Sequence, residues 1–217
     1  MKKLLAVALG LVLVFAFAAM AQDEGGKLSY GFKAGLGMCK WTGSSALDTA
    51  LISIGAEKKN LMGFGGGGVL AYKLTPSVVL QFEALYLMKG VKYTLGDETA
   101  KFKLSYIEIP VTLHVAPNMQ GSLKPNFFAG PFLGLLASAK LRGESGGMGA
   151  EVDVKDFFKS TEFGVTFGAG FDYVFGTSAI TFDARYDLGL SKVWDDLFGF
   201  DSKNGGFFLM VGYKLGY

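Results

Sequence analysis

The chain has 217 residues, half of them hydrophobic, with 21 basic and 19 acidic side chains, one histidine and one cysteine. So even a charge balance gives no electrostatic footprint for nucleic acid. A lone cysteine excludes an intramolecular disulfide, and a lone histidine excludes a zinc centre built on several imidazoles.

Met1-Lys2-Lys3, an apolar run from Leu4 to Ala18 and Ala19-Met20-Ala21 before Gln22 read as a secretory signal peptide cleaved after Ala21. The run is shorter than the roughly 20 residues of a spanning helix. Residues 1–21 are therefore a signal peptide and residues 22–217 a single domain, with 19 basic against 19 acidic side chains once Lys2 and Lys3 are gone. No cysteine follows the cleavage site to carry a lipid anchor.

Eight segments of that domain have strand character, at about 30–38, 62–73, 77–89, 104–115, 126–140, 160–174, 179–190 and 206–217. Strand side chains alternate between faces. In the sixth segment Phe163, Val165, Phe167, Ala169, Phe171 and Tyr173 share one face, opposed by Glu162, Gly164, Thr166, Gly168, Gly170 and Asp172. The seventh sets Ile180, Phe182, Ala184, Tyr186 and Leu188 against Thr181, Asp183, Arg185 and Asp187, and the eighth sets Phe207, Leu209, Val211, Tyr213, Leu215 and Tyr217 against Gly212, Lys214 and Gly216. Short connections at 74–76, 117–125 and 175–178 alternate with long ones at 39–61, 90–103, 141–159 and 191–205.

These features predict an all-β protein, an eight-stranded antiparallel up-and-down transmembrane β-barrel, with short periplasmic turns and long outer loops. A soluble eight-stranded barrel would bury the apolar faces and show water the polar ones. Here a consistently apolar face is opposed by one carrying Lys33, Glu83, Glu108, Asp183, Arg185 and Lys214, and outside a bilayer one face of every strand would be a large exposed apolar patch. Aromatic girdles should mark both interfaces, with Tyr30, Tyr72, Tyr173 and Tyr217 at the periplasmic rim and Phe64, Tyr86, Phe163 and Phe207 at the outer rim. The expected location is the outer membrane of a Gram-negative-type envelope.

Four segments also resemble the PorT-like outer-membrane β-barrel family common in Bacteroidetes and relatives: residues 30–36 (YGFKAGL), 104–110 (LSYIEIP), 128–134 (FAGPFLG) and 182–190 (FDARYDLGL). The resemblance covers essentially the whole mature chain and implies the barrel architecture. One named member of that family serves in protein secretion, which makes an accessory secretion role one expectation.

For a site, the interior charges come first. An eight-stranded barrel is just wide enough for its own side chains, so Lys33, Glu83, Glu108, Asp183, Arg185 and Lys214 are expected to pair as a plug, with Asp183 and Lys214 at one level. His114 reads as a satisfied interior imidazole. Gly65 to Gly68 lacks the Lys-Ser/Thr ending and following helix of a phosphate loop and reads as barrel geometry. Trp41 and Trp194, with Phe198 and Phe200, are the candidate surface-loop contacts, and Asp195, Asp196 and Asp201 match no specific calcium loop. Tyr217, a terminal aromatic on an alternating strand, is the candidate signal for barrel-assembly machinery. The expectation is a non-enzymatic barrel without cofactor, surrounded by outer-membrane lipid, whose four loops serve envelope structure, adhesion or contact with an envelope or secretion partner; a narrow solute conduit is the other reading.

Overall fold

The computed structural model describes residues 27–43, 46–117, 120–195 and 201–217. The predicted signal peptide, Asp196, Phe198 and Phe200 lie outside the described residues. Ten strands and one helix follow in order: β1 (Leu28–Thr42), α1 (Ala46–Ser53), β2 (Glu57–Lys59), β3 (Leu61–Thr75), β4 (Val78–Leu95), β5 (Glu98–Val115), β6 (Leu123–Ser145), β7 (Met148–Asp153), β8 (Thr161–Phe175), β9 (Ser178–Gly189) and β10 (Lys203–Leu215).

Eight of the strands close a ring. β1 pairs with β3 and with β10, and each remaining barrel strand pairs antiparallel with its neighbours in the order β3, β4, β5, β6, β8, β9, β10. No barrel strand is left with an open edge, as a sheet in hydrocarbon requires. The outward face is apolar: Phe32, Leu36, Met62, Phe127, Phe163 and Leu209 are among the most exposed side chains. Tyr30, Tyr72 and Tyr173 stand outward at the periplasmic end and Phe64, Tyr86, Phe163 and Phe207 at the other, where the girdles were expected.

Tyr217 is the exception to the girdle. Gly216 takes φ +73°, a left-handed conformation that breaks the alternation, and the Tyr217 N–H donates to Thr177 O at 3.1 Å. The ring then lies over Lys73 Nζ and Lys214 Nζ, 5.6 and 5.8 Å from its centroid. It caps the periplasmic mouth and does not face lipid.

Three of the predicted long loops hold regular structure. β4 and β5 continue in register to a tight turn at Gly96-Asp97, and β6 runs to Ser145 before turning back through Gly146-Gly147 into β7. The predicted 39–61 loop contains the end of β1, α1 and β2, and β2 pairs with β4. Together β2, β4, β5, β6 and β7 form a five-stranded sheet that rises past the lipid-facing band on the outer side.

Glycines set the curvature of the wall. A Cβ on Gly67 would lie 1.9 Å from Ala84 O on the next strand, so no side chain fits unless the two strands separate. The Gly65 to Gly68 run therefore has a barrel-building role.

Two outcomes follow for the purified, refolded protein. Unheated protein should migrate faster than boiled protein in detergent gels, as a closed barrel does. Gly67→Val should cut the heat-modifiable fraction severalfold at equal expression, because overpacking at this contact cannot be relieved by a rotamer change.

Candidate functional site

Strand parity places the charges inside. Lys33 of β1, Glu83 and Lys89 of β4, Glu108 of β5, Glu162 of β8, and Asp183, Arg185 and Asp187 of β9 all point into the lumen, and each is at most 6% exposed. Ions there survive only as paired, hydrogen-bonded sets. Lys33 Nζ donates to Glu83 Oε1 and to Asp183 Oδ2, both at 2.6 Å. Arg185 is the hub: its Nη1 donates to Glu83 Oε2 at 2.8 Å, its Nη2 to Glu108 Oε1 at 2.9 Å, and its Nε and Nη2 to Asp187 Oδ1 at 3.0 and 2.8 Å. Lys89 Nζ donates to Glu108 and lies 3.8 Å from Asp187 Oδ2 and 3.9 Å from Glu162 Oε2. Asn204 Nδ2 donates to Glu162 Oε2 at 3.1 Å.

Five of the six predicted interior charges thus meet in one network, and Lys214 does not join it directly. The β9–β10 register sets Asp183 opposite Met210 and Lys214 opposite Ala179. The expected Asp183–Lys214 pair is therefore replaced by Lys33–Asp183, and Lys214 Nζ donates to Asp172 Oδ2 at 3.2 Å and Gln81 Oε1 at 3.4 Å. Gln81 Nε2 in turn donates to Glu83 Oε1 at 2.6 Å and links the two levels. Lys89, Glu162 and Asp187 are not among the expected plug residues, although Lys89 is in phase with Gln81 and Glu83, and Glu162 and Asp187 share the polar faces of their strands.

At the periplasmic end a cavity of about 410 Å³ opens, lined among others by Lys73, His114, Asn126, Asp172, Lys214 and Tyr217. His114 Nε2 lies 3.0 Å from Thr112 Oγ1 and its Nδ1 3.3 Å from Asn126 Oδ1, with the ring stacked on Phe128 at 4.6 Å. It is a hydrogen-bonded interior imidazole flanked by a threonine and an amide. Among the described residues no group of three or more His, Cys, Asp or Glu is placed to hold a metal.

The outer end is closed by aromatics. Trp41, Tyr93, Tyr106, Phe158 and Trp194 form a buried cluster with Val91, Leu104 and Leu136, and Phe102 packs against it. Trp41 and Trp194 are 1% and 7% exposed, so the two expected surface contacts are a stopper. Trp41 has the parity of Lys33, and β1 extends far enough to carry it into the mouth; the bridge between Phe158 and Trp194 folds two connections across the opening, with their rings stacked at 4.4 Å. Below them Cys39, Leu85, Leu87, Phe208 and Met210 fill the next layer. On the sheet above, the Tyr93 hydroxyl donates to Asp48 of α1, and burial, then the Asp48 carboxylate, push its phenol up.

A closed eight-strand ring with a polar, side-chain-filled interior and an apolar outside is the architecture of a small outer-membrane barrel, and the sequence profile of the outer membrane protein beta-barrel domain matches residues 20–195. The chain belongs to this family. It is an integral outer-membrane protein. Among solved structures it is similar to Neisserial surface protein A, at 18% identity over 89% of this chain and 98% of that one, with a TM-score of 0.50. It is also similar to the outer membrane protein OprG from Pseudomonas aeruginosa, at 12% identity over 86% and 94% with a TM-score of 0.44. The N-terminal barrel domain of OprF from the same organism aligns at 14% identity over 86% and 96%, TM-score 0.40. No protein with a curated description matches the chain significantly in sequence. The family match ends before β10, which the structure supplies as the stave that closes the ring on β1.

Arg185→Met should destabilise the barrel by about 3–5 kcal/mol, the usual cost of stranding buried charges, because it leaves Glu83, Glu108 and Asp187 short of a cation. Urea unfolding from lipid vesicles, followed by the fluorescence of the buried Trp41 and Trp194, measures it. In planar bilayers the wild-type protein should show no stable open conductance; steady large openings would contradict a filled lumen.

Proposed function

We propose that the protein is a non-enzymatic anchor, a filled barrel that holds a folded surface in place above the outer membrane for contact with an envelope or extracellular partner. The observation that carries this reading is the division of the strands. Their lower halves are sealed by the ion network and the aromatic stopper, while β4, β5 and β6 continue outward with β2 and β7 into a five-stranded sheet.

A conduit would need a lumen, and the interior between Lys33 and Trp194 holds the ion network, the layer of Cys39, Leu85, Leu87, Phe208 and Met210, and the aromatic cluster. The sheet, in contrast, is paired in register across its five strands and ends in exposed apolar side chains: Leu95 at the β4–β5 turn, Met148 at the β6–β7 turn, and Ile52 and Ile54 at the end of α1 are 40%, 81%, 54% and 63% exposed. Apolar anchors on a paired sheet suit protein contact. The accessory role in secretion that the PorT-like resemblance implies is the narrower version of the same reading, with a secretion component as the partner.

Photo-crosslinkers at Leu95 and Met148 in intact outer membranes should capture a defined protein, and the same probe at the lipid-facing Leu209 should not. Replacing residues 94–99 and 143–150 by two-residue turns should abolish that capture while leaving the heat-modifiable barrel intact. Recovery of a stoichiometric secretion complex would select the narrower version, and loss of barrel folding on trimming would count against a separable surface sheet.

A further inference from the structure

The outward face of the sheet changes character abruptly where it leaves the lipid-facing band. On β4 the outward residues Leu80, Phe82, Ala84, Tyr86 and Met88 give way to Lys92. Cross-strand register then sorts the charges into rows. The first row above the band aligns Gly90, Lys103, Lys140 and Asp153 across β4 to β7, and the second aligns Lys59, Lys92, Lys101, Arg142 and Glu151 across β2 to β7. The third aligns Glu57, Thr94, Thr99 and Glu144. Six bases thus occupy the two rows nearest the membrane against Glu151 and Asp153, and the next row out, which ends at Gly149 on β7, carries acids and no base.

Four bases directly opposite one another on adjacent strands repel, and like-charged cross-strand pairs destabilise a sheet. The ion pairs relieve this from one side only. Glu57 bonds Lys59 at 2.8 Å, and Glu144 bonds Lys101 at 2.7 Å and Arg142 at 2.8 Å, each acid reaching from the third row to the second. Glu151 of the second row reaches Lys140 at 2.7 Å and Lys103 at 3.3 Å in the first. In all five pairs the carboxylate sits one row farther from the membrane than its base. Lys92, flanked by Lys59 and Lys101, has no carboxylate partner among the described residues. At a strand spacing of about 4.8 Å the second-row bases span roughly 14 Å along the membrane surface. On their membrane-facing side Asp153, beside Lys140 at the β7 edge of the first row, is the one carboxylate in register among the described residues, and none of the second-row bases pairs with it.

We propose that this basic double row is a binding site for the phosphate groups of outer-leaflet glycolipid. The charge complements phosphate, the site is continuous with the lipid-facing wall, and its height is that of the headgroups, so the chemistry and the location select a lipid over a soluble anion. Basic side chains at a membrane surface each add to the attraction for anionic headgroups.

The test uses the full chain refolded in zwitterionic detergent, titrated with bisphosphorylated lipid A, dephosphorylated lipid A, inorganic phosphate and heparin. Wild-type protein should bind the bisphosphorylated lipid at least about tenfold more tightly than the dephosphorylated one. The triple variant K92Q/K101Q/R142Q, with its heat-modifiable migration intact, should lose that preference, and K92R/K101R/R142K should retain it. Equal binding of the two lipids by the wild type, or an unchanged preference in the folded triple variant, would overturn the site. Displacement of the lipid by an equal concentration of inorganic phosphate, or tighter binding of heparin than of the lipid, would overturn its assignment to a headgroup.

Discussion

Hydrocarbon leaves a backbone N–H or C=O no partner but another backbone group, at several kcal/mol for each one left unpaired, and β1 therefore has to meet β10 as well as β3. Closing the sheet with eight strands sets the lumen at about the width of its own side chains. The interior then has to be filled, its ions have to be paired, and the wall has to curve hard enough that a carbonyl of the next strand occupies the place of a Cβ at Gly67. The ion network and the glycine run follow from the same closure.

The network is organised around Arg185 because guanidinium offers several donors in a fixed fork. Glu83 and Glu108 approach it from β4 and β5, across the barrel from β9, so the contact ties together staves that share no backbone hydrogen bond. Lys33 and Lys89 then neutralise the outer oxygens of those same two glutamates. Removing Arg185 takes the direct cross-barrel bonds from Glu83, Glu108 and Asp187 at once and leaves β4 and β9 joined through Lys33, which bonds both Glu83 and Asp183.

Parity carried most of what the sequence disclosed. Alternation in β8, β9 and β10 assigned inside and outside, and with it the luminal position of Lys33, Glu83, Glu108, Asp183, Arg185 and Lys214. Partner choice was not legible, because it depends on the stagger between strands: the same parities allow Lys214 to meet Asp183 or Asp172, and only the register sends it to Asp172. The outer sheet escaped notice because its amphipathicity is inverted relative to the barrel. Above the membrane Lys92, Lys101 and Lys103 stand outward while Val91, Tyr93, Phe102 and Leu104 face in, a pattern that resembles a polar loop when the lipid-facing side is expected to be apolar. Trp41 carried a readable sign, since it is in phase with Lys33. The inward turn of Tyr217 did not, since it depends on a left-handed Gly216 that no alternation rule anticipates.

The two ends of the lumen are unlike, and this gives the protein two different faces toward its two compartments. Lys214, Gln81 and His114 line the periplasmic cavity, and Gln81 contacts Glu83, whereas the Trp41–Phe158–Trp194 stopper lies between the carboxylates and the outside. The described residues thus leave the polar interior open to a solvent-sized cavity at the periplasmic end and cover it with rings at the other. A molecule arriving from outside the cell therefore meets the surface sheet and a closed aromatic lid, while one in the periplasm meets an open polar cup.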